Sequence, residues 1–145
     1  MESHGDRDGR GAIVFITVCT RQRRAILAQE LVHSLLVEAW EHANEWAVGR
    51  YVIMPDHVHL FCRPKDDASL ALKKWVSYWK SQTSKGWPKP RQKPVWQASF
   101  WDRDLRSVEA YESQWRYVVE NPVRHGLVKD SREWPLQGEL RDLEW

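Results

Sequence analysis

The stretch Arg50–Arg63, RYVIMPDHVHLFCR, decides the fold that this sequence predicts. Two runs of β-branched and aromatic residues flank a Pro-Asp pair, which is typical of a tight turn. Two strands joined by a short turn form an antiparallel hairpin. Because alternate side chains of a strand share one face of a sheet, His57 and His59 are expected to project together. Val58 then points to the opposite face, into the core.

The segments around this hairpin extend it into an alternating series of strands and helices. They are, in chain order, a strand at Ala12–Thr20, a helix at Ile26–Trp46, a helix from its expected N-cap Ser69 to about Ser81, an irregular strand at Val95–Leu105 and a helix from its expected N-cap Ser107 to Pro122. The resulting order is β-α-β-β-α-β-α. Its first six elements match the ferredoxin-like split βαβ arrangement, an α+β fold with an antiparallel sheet and helices on one face. The seventh is an extra C-terminal helix.

Length and composition limit the classes of protein that the chain can belong to. Its 145 residues are 42% hydrophobic and 29% charged with a net charge of +2, which excludes a disordered chain and a uniformly basic, histone-like protein. We predict one domain over residues 11–145, preceded by a flexible, polar arm at Met1–Arg10. The longest uncharged apolar run, Gly11–Thr20, is too short to span a bilayer. Cys19 and Cys62 are interpreted as buried free thiols, which favours a cytoplasmic protein; nucleoid association would follow only from binding to DNA.

The pair His57 and His59 is the sharpest local signal for chemistry. Two imidazoles on one face of a strand can bind a divalent metal ion. An isolated His-x-His pattern is weak, however, and two incidental surface histidines are the alternative.

The last helix adds a second set of candidates. On a helical period Gln114, Tyr117 and Asn121 share a face, because residues three and four apart are neighbours. That face differs from the apolar stripe that includes Tyr111 and Val118, so Tyr117 is not needed for packing. Asn121 can offer an oxygen to a hard cation, although it precedes a proline that disfavours helical geometry.

The third signal is a basic segment. Residues 68–101 contain seven Lys and Arg and no Asp or Glu, with aromatic residues interleaved. Cations neutralise phosphates and aromatic rings stack unpaired bases, so this segment predicts nucleic-acid contact. Its candidate DNA-binding residues are Lys73, Lys74, Lys80, Lys85, Arg91, Lys93, Trp87 and Trp96. The alternative is a solvated helix face with core tryptophans between the charges.

These motifs together resemble a known family. MPDHVHL at 54–60 resembles the HUH box (histidine, hydrophobic, histidine) of the IS200-like, single-tyrosine transposases. The stretches VWQ at 95–97, FWD at 100–102 and YVVENPVRHGLV at 117–128 are similar to later boxes of the branch called REP-associated tyrosine transposases. EWP at 133–135 fits the typical tail. The resemblance covers nearly the whole chain, from about residue 12 to 135.

The resemblance implies a site and a reaction. It implies a nucleophile at Tyr117 and ligands for Mg²⁺ or Mn²⁺ at His57, His59 and Asn121. Family members cleave single-stranded DNA near a hairpin, form a 5′-phosphotyrosine and rejoin strands without ATP. The expected partner is therefore single-stranded or hairpin DNA with REP-like inverted repeats, with Arg124 as a phosphate contact. The chain departs from many members at residue 119, where a valine replaces a polar residue.

Two other functions stay open at this point. One is a metal-dependent hydrolase that uses the histidine pair without a covalent step, for which Asp56 is the only convincing acid nearby. The other is a non-catalytic DNA-binding regulator on the same fold. A homodimer formed through a sheet edge is possible on either interpretation, and no membrane partner is expected.

Overall fold

An antiparallel sheet organises the chain, which a computed structural model describes over residues 12–67 and 69–144. The strands are β1 (Ile13–Cys19), β2 (Trp46–Ile53), β3 (His57–Pro64), β4 (Trp101–Leu105) and β5 (Gln137–Glu139). Their order across the sheet is β4-β1-β3-β2-β5, and each neighbouring pair is antiparallel. The first four strands have the ferredoxin-like arrangement, so the predicted fold class is confirmed. The arm predicted at Met1–Arg10 lies outside the described residues.

The helices lie on both sides of this sheet. They are α1 (Glu30–His42), α2 (Leu72–Lys85), α3 (Val108–Val119) and the short α4 (Asn121–Arg124). Helices α1 and α2 pack on the face that carries Val14, Ile16, Val58 and Leu60, which we call the helix-pair face. Helix α3 packs on the opposite face, where Phe61 joins Tyr111. Because His57 and His59 alternate with Val58 and Leu60, they share the α3 side, which we call the histidine face.

The helix-pair face holds the main hydrophobic core. Trp75 and Trp79 of α2 are completely buried and pack edge to face, with ring centroids 6.2 Å apart. Trp79 in turn contacts Trp40 of α1 at 5.8 Å and Trp96 at 5.6 Å. Large aromatic rings bury much apolar surface per side chain, so these residues fix the two helices on the sheet. Cys62 is a buried free thiol here, as predicted, and Cys19 is also buried and free.

Several predicted element bounds are wrong. The first helix is Glu30–His42 and not Ile26–Trp46, because Trp46 already pairs with Pro64 in the sheet. Gly49 therefore lies inside β2, where the β2–β3 register shifts, and a Cβ there would come within 2.7 Å of Leu143. The second helix begins at Leu72, three residues beyond the expected cap at Ser69.

The second half of the chain also differs from the prediction at its strands. The fourth strand is Trp101–Leu105 and not Val95–Leu105, since Trp96 makes only an isolated bridge with Thr20. The tail adds β5, which pairs with β2 and was not predicted. Helix α3 begins with the expected cap, because the Ser107 hydroxyl accepts a hydrogen bond from the Ala110 amide. Across the described residues, no helix is both long and apolar enough for a membrane span.

Candidate active site

Three polar side chains converge on the histidine face. The Nε2 atoms of His57 and His59 lie 3.1 Å apart. The side-chain amide of Asn121 lies 3.0 Å from His59 Nε2 and 3.4 Å from His57 Nε2. Asn121 and His57 are buried, at 5% and 7% exposure. Strand β3 supplies the two imidazoles and α4 supplies the amide, so the fold brings together residues more than sixty positions apart.

The opposite ring nitrogens are anchored by two further residues. His57 Nδ1 lies 2.7 Å from Asp56 Oδ1, and His59 Nδ1 lies 2.8 Å from Thr17 Oγ1. A carboxylate only accepts, so the neutral His57 ring donates Nδ1–H to it and keeps a lone pair at Nε2. The Thr17 hydroxyl can donate or accept, and if His59 has the same tautomer and donates Nδ1–H to Thr17, it keeps a second lone pair at Nε2. Both Nε2 lone pairs are then directed toward Asn121, which is an arrangement suited to metal binding.

Burial keeps both imidazoles in the uncharged form. Burial first, and the neighbouring His57 second, lower the pKa of His59 to about 3. Burial also lowers the pKa of His57, although the hydrogen bond with Asp56 acts in the opposite direction. For Asp56, burial raises the carboxyl pKa, but hydrogen bonds with His57 and Arg23 outweigh it and the net shift is downward. Two neutral rings beside a carboxylate are the protonation state that a cation needs.

The α3–α4 junction places Asn121. Helix α3 ends at Val119, and Glu120 keeps right-handed helical angles (φ −87°, ψ 0°), so the chain continues in nearly the same direction. Pro122 lies in the first turn of α4, where its missing N–H costs no helical hydrogen bond. The effect of the proline is therefore to divide the helix and not to displace Asn121 from the histidines.

Tyr117 lies one turn before this junction and is 63% exposed. Tyr111 and Val118 of the apolar stripe are buried instead, so the prediction that Tyr117 is not used for packing is confirmed. The guanidinium of Arg124 stands 3.8 Å from the centre of the Tyr117 ring. The phenol is thus accessible to a ligand, and the Arg124 guanidinium packs against its ring.

The donor set fits a divalent metal ion only if the amide takes part. Within residues 12–67 and 69–144, no three His, Cys, Asp or Glu side chains form a group that could hold a metal ion. The convergence of two imidazole lone pairs on Asn121 supplies a third donor, since rotation of the carboxamide presents Oδ1 in place of Nδ2. Imidazole and carbonyl oxygen are both ligands of divalent cations.

Two residues predicted to stack bases are buried. Trp87 and Trp96 are only 4% and 8% exposed. The Trp87 indole donates to Gln92 Oε1 at 2.8 Å, and the Trp96 indole donates to Thr83 Oγ1 at 3.0 Å. Both rings belong to the core of the helix-pair face, so the structure contradicts their role as stacking residues. The residue type alone predicts base stacking, but packing in this core leaves neither ring accessible to a base.

The predicted cations lie on the surface, but several are remote from the histidines. Lys73, Lys74, Lys85, Arg91 and Lys93 are exposed. Lys80 is half-buried and donates to the Gln97 carbonyl at 2.7 Å. Helix α2 is on the helix-pair face, so its lysines stand on the other side of the sheet from His57 and His59. Lys73 and Lys80 line an open groove of about 480 Å³ that Phe100 and Asp102 complete.

Sequence reasoning missed the residues that orient the histidines. Thr17 of β1 pairs with His59, and Phe15 of β1 stacks on the His59 ring with centroids 5.3 Å apart. Arg23 donates to Asp56 Oδ2 at 3.1 Å from a backbone with φ 54°, which is uncommon for a residue other than glycine. Thr17 is the single hydroxyl side chain in the apolar run of β1, IVFITVC, which is the only local signal for it. The pairing register that brings it to His59 is not visible in the sequence.

Comparison with known families identifies the one to which the chain belongs. The profile of the family described as "Transposase IS200 like" matches residues 11–120, which is most of the chain. The chain belongs to the IS200-like transposase family. The resemblance identified in the sequence is thereby confirmed.

Relatives within the family narrow the comparison. The REP-associated tyrosine transposase of Escherichia coli is 28% identical in an alignment of 139 residues that covers 92% of this chain and 80% of that protein. A Haemophilus influenzae protein, provisionally described by the same name, is 26% identical over 150 residues, covering 93% and 84% of the two chains. A solved structure of a REP-associated tyrosine transposase bound to a REP hairpin has a TM-score of 0.76 at 24% identity, covering 94% of this chain and 82% of that one. This last likeness shows the fold.

Proposed function

We propose that the chain is a metal-dependent single-stranded DNA endonuclease and strand transferase that acts near a DNA hairpin through a 5′-phosphotyrosine at Tyr117. The observation that carries the proposal is the convergence of His57, His59 and Asn121 beside an exposed tyrosine. None of these polar groups is required by the core. Their combination in one place is suited to phosphoryl transfer.

Tyr117 is the proposed nucleophile. Its phenolic oxygen attacks the phosphorus, the bond from phosphorus to the 3′ oxygen breaks, and the phenolic proton is lost to water. The products are a 5′-phosphate ester of Tyr117 and a strand with a free 3′-hydroxyl, which takes up a proton. Because the ester keeps the energy of the phosphodiester, attack by a 3′-hydroxyl on the same phosphorus rejoins a strand without ATP.

The remaining residues hold the phosphate and the phenol in place. His57, His59 and Asn121 are the proposed ligands of Mg²⁺ or Mn²⁺, which would neutralise charge on the phosphate oxygens during substitution. Asp56 accepts from His57 Nδ1, and Thr17 is the proposed acceptor for His59 Nδ1. Arg124 lies against the Tyr117 ring and is the proposed contact for the same phosphate.

Hairpin DNA is the proposed substrate. The structural relative is described as bound to a REP hairpin, and the relatives in Escherichia coli and Haemophilus influenzae are described as REP-associated. The exposed cations Lys73, Lys74, Lys85, Arg91 and Lys93 would bind parts of the DNA beyond the cleavage site. They can neutralise phosphates wherever the stem or flank passes the α2 side of the molecule.

A covalent adduct tests the proposal. A 3′-labelled hairpin oligonucleotide with single-stranded flanks and a REP-like sequence is incubated with protein and Mn²⁺, then separated under denaturing conditions. A protein-linked label is expected, because the 5′-phosphotyrosine retains the fragment on the 3′ side of the cut. Tyr117→Phe should lower adduct formation on the order of 10³-fold or more, with binding affinity within about twofold of wild type.

The control is Tyr78→Phe, which removes the hydroxyl of another exposed tyrosine, on α2. It should form the adduct at the wild-type rate. Cleavage that needs Mn²⁺ but leaves no adduct would instead establish a hydrolase. Binding without cleavage in the wild-type protein would establish a non-catalytic regulator. An adduct that survives in Tyr117→Phe would assign the nucleophile to another residue.

A further inference from the structure

One large aromatic side chain on the histidine face has no place in the core. Trp101 begins β4 and is 76% exposed, more than any other large hydrophobic side chain among the described residues. Six other tryptophans are buried, at 8% exposure or less: Trp40, Trp46, Trp75, Trp79, Trp87 and Trp96. A single exposed ring is not evidence of a site by itself. The position of Trp101 relative to the histidines makes it informative.

The strand register places Trp101 in line with His59. Thr17 of β1 is paired with Trp101 on one side and with His59 on the other. Directly opposed residues of antiparallel strands project from the same face of a sheet. Trp101, Thr17 and His59 therefore form one row across the histidine face. Two strand spacings, about 10 Å, separate the backbones of Trp101 and His59.

Helix α3 crosses the histidine face from the turn at Ser107, and Trp101 on the edge strand β4 stays exposed beside it. Leu105 and Tyr111 pack together near the turn. Further along, Arg103 Nη1 donates to Gln114 Oε1 at 2.6 Å. On β4, the next side chain of the histidine face after Arg103 is Trp101. On α3, Tyr117 lies one helical turn after Gln114. Trp101 and Tyr117, both exposed, thus follow the Arg103–Gln114 contact on their respective elements.

We propose that Trp101 is a binding residue for an unpaired DNA base, which stacks on its indole next to the phosphate at His57 and His59. The placement of that phosphate rests on the function proposed above. An indole face stacks any base, because every base has a π surface. The ring would hold the flanking nucleotide while Tyr117 attacks.

The charges around Trp101 favour a nucleic acid over a second protein chain. Arg103, the next residue of β4 on the same face, is exposed and cationic. The acids of this strand, Asp102 and Asp104, oppose Ile16 and Val14 and so belong to the helix-pair face. The side of β4 that carries the indole therefore presents a cation and a stacking surface together, which is the combination found in single-strand grooves.

Binding measurements without cleavage test this role. Fluorescence anisotropy is recorded in EDTA, in a Tyr117→Phe background, with a labelled hairpin that has a single-stranded tail and with the same hairpin lacking the tail. Trp101→Val should weaken binding of the tailed probe on the order of 5- to 150-fold. It should leave the tail-less probe within about twofold. Trp101→Phe should keep most of the affinity, because it retains a ring.

Valine suits the test because its β-branched side chain fits an edge strand, so β4 is retained. Tyr78→Leu is the matched control, since it removes an exposed ring from α2 and should not distinguish the two probes. Abasic nucleotides placed along the tail locate the contact. The difference between wild type and Trp101→Val should vanish when the abasic position adjoins the cleavage site.

Two results would overturn the inference. Equal losses for tailed and tail-less probes would assign Trp101 to general DNA contact. Unchanged affinity together with a changed sedimentation coefficient would assign the ring to an interface between copies at the β4 edge. Failure of the proposed function is separate from both: a wild-type protein without a covalent adduct can still show the tail-dependent loss in Trp101→Val.

Discussion

The two faces of the sheet use the same kinds of side chain for opposite purposes. On the helix-pair face, Trp75 and Trp79 are fully buried and touch one another and the sheet. On the histidine face, Trp101 and Tyr117 are 76% and 63% exposed. Two long helices cover the first face, and a single helix covers part of the second. The extent of helical cover decides whether an aromatic ring stabilises the fold or remains available to a ligand.

Polar atoms differ between the faces in the same way. The Trp75 indole donates to the Ala43 carbonyl at 2.6 Å, which satisfies a buried donor within the core. On the histidine face the Nε2 atoms of His57 and His59 contact each other and Asn121. Two imidazole lone pairs 3.1 Å apart repel unless a donor or a cation lies between them. The Trp75 donor is thus satisfied within the core, whereas the polar atoms of the histidine face converge on one point, where we propose that a cation binds.

The largest expected difference between the two faces is in how much a substitution of tryptophan lowers the free energy of unfolding. Trp79→Ala should lower the free energy of unfolding by about 3–5 kcal/mol, because it empties a fully buried site between α1, α2 and Trp96. Trp101→Val should change it by about 0.5 kcal/mol or less. Urea unfolding at pH 7 measures both. Comparable losses of unfolding free energy in the two variants would show that the exposed Trp101 ring also stabilises the fold.

A phenylalanine at the same position sharpens this test. The indole Nε1 of Trp79 is buried and has no hydrogen-bond partner among the described residues. Trp79→Phe removes that unsatisfied donor and keeps an aromatic ring, so its loss should be clearly smaller than that of Trp79→Ala. A Phe variant as unstable as the Ala variant would mean that the exact indole shape is essential.

The sequence was sufficient for the fold class because its signals are local. The β-branched and aromatic runs around the Pro-Asp turn in Arg50–Arg63, with the helical periods on either side, predict the order of the first six elements, which the structure confirms. The bounds were less accurate where tertiary pairing decides them. Trp46 continues the apolar period of α1 yet pairs with Pro64, and β5 has only three residues, which are recognisable as a strand only from their pairing with β2.

The site was predictable in part for the same reason. A period of two places His57 and His59 on one face, and a period of 3.6 separates Tyr117 from the apolar stripe. The burial of Trp87 and Trp96 is not predictable, because composition does not tell which tryptophans pack against α2 and which stay on the surface. The roles of Thr17 and Trp101 depend on the β1 register with β3 and β4, which arises from long-range pairing.

Metal binding gives the second largest expected effect, and it should act only on the histidine face. A cation that binds the folded state stabilises it by about 2.7 kcal/mol at a concentration of 100 times Kd. For a chain of this length, Mn²⁺ should then raise the melting temperature by about 5–10 °C. Asn121→Ala and His59→Ala should abolish the increase, and Tyr117→Phe should retain it. Differential scanning fluorimetry with and without EDTA measures the shift.

Asn121→Asp controls for a loss of stability that is unrelated to metal binding. Asn121 is buried, so Asn121→Ala can lower the melting temperature without any effect on a cation. Aspartate keeps an oxygen at the same position and should preserve the Mn²⁺-dependent increase. A shift that persists in Asn121→Ala and His59→Ala would place the cation elsewhere on the molecule.

The smallest of these effects tests how the histidine face is prepared for a cation. Thr17→Val removes the hydroxyl that lies 2.8 Å from His59 Nδ1, while a β-branched side chain keeps β1 intact. Without that hydroxyl the proton can move to Nε2, the atom that must be unprotonated to bind a metal. Mn²⁺ affinity, measured by calorimetry, should fall about 10–100-fold. Thr17→Ser should restore it, because the serine hydroxyl offers the same oxygen. Unchanged affinity in Thr17→Val would mean that burial among Phe15 and Asn121 alone selects the tautomer, and that the sheet register contributes nothing to the chemistry.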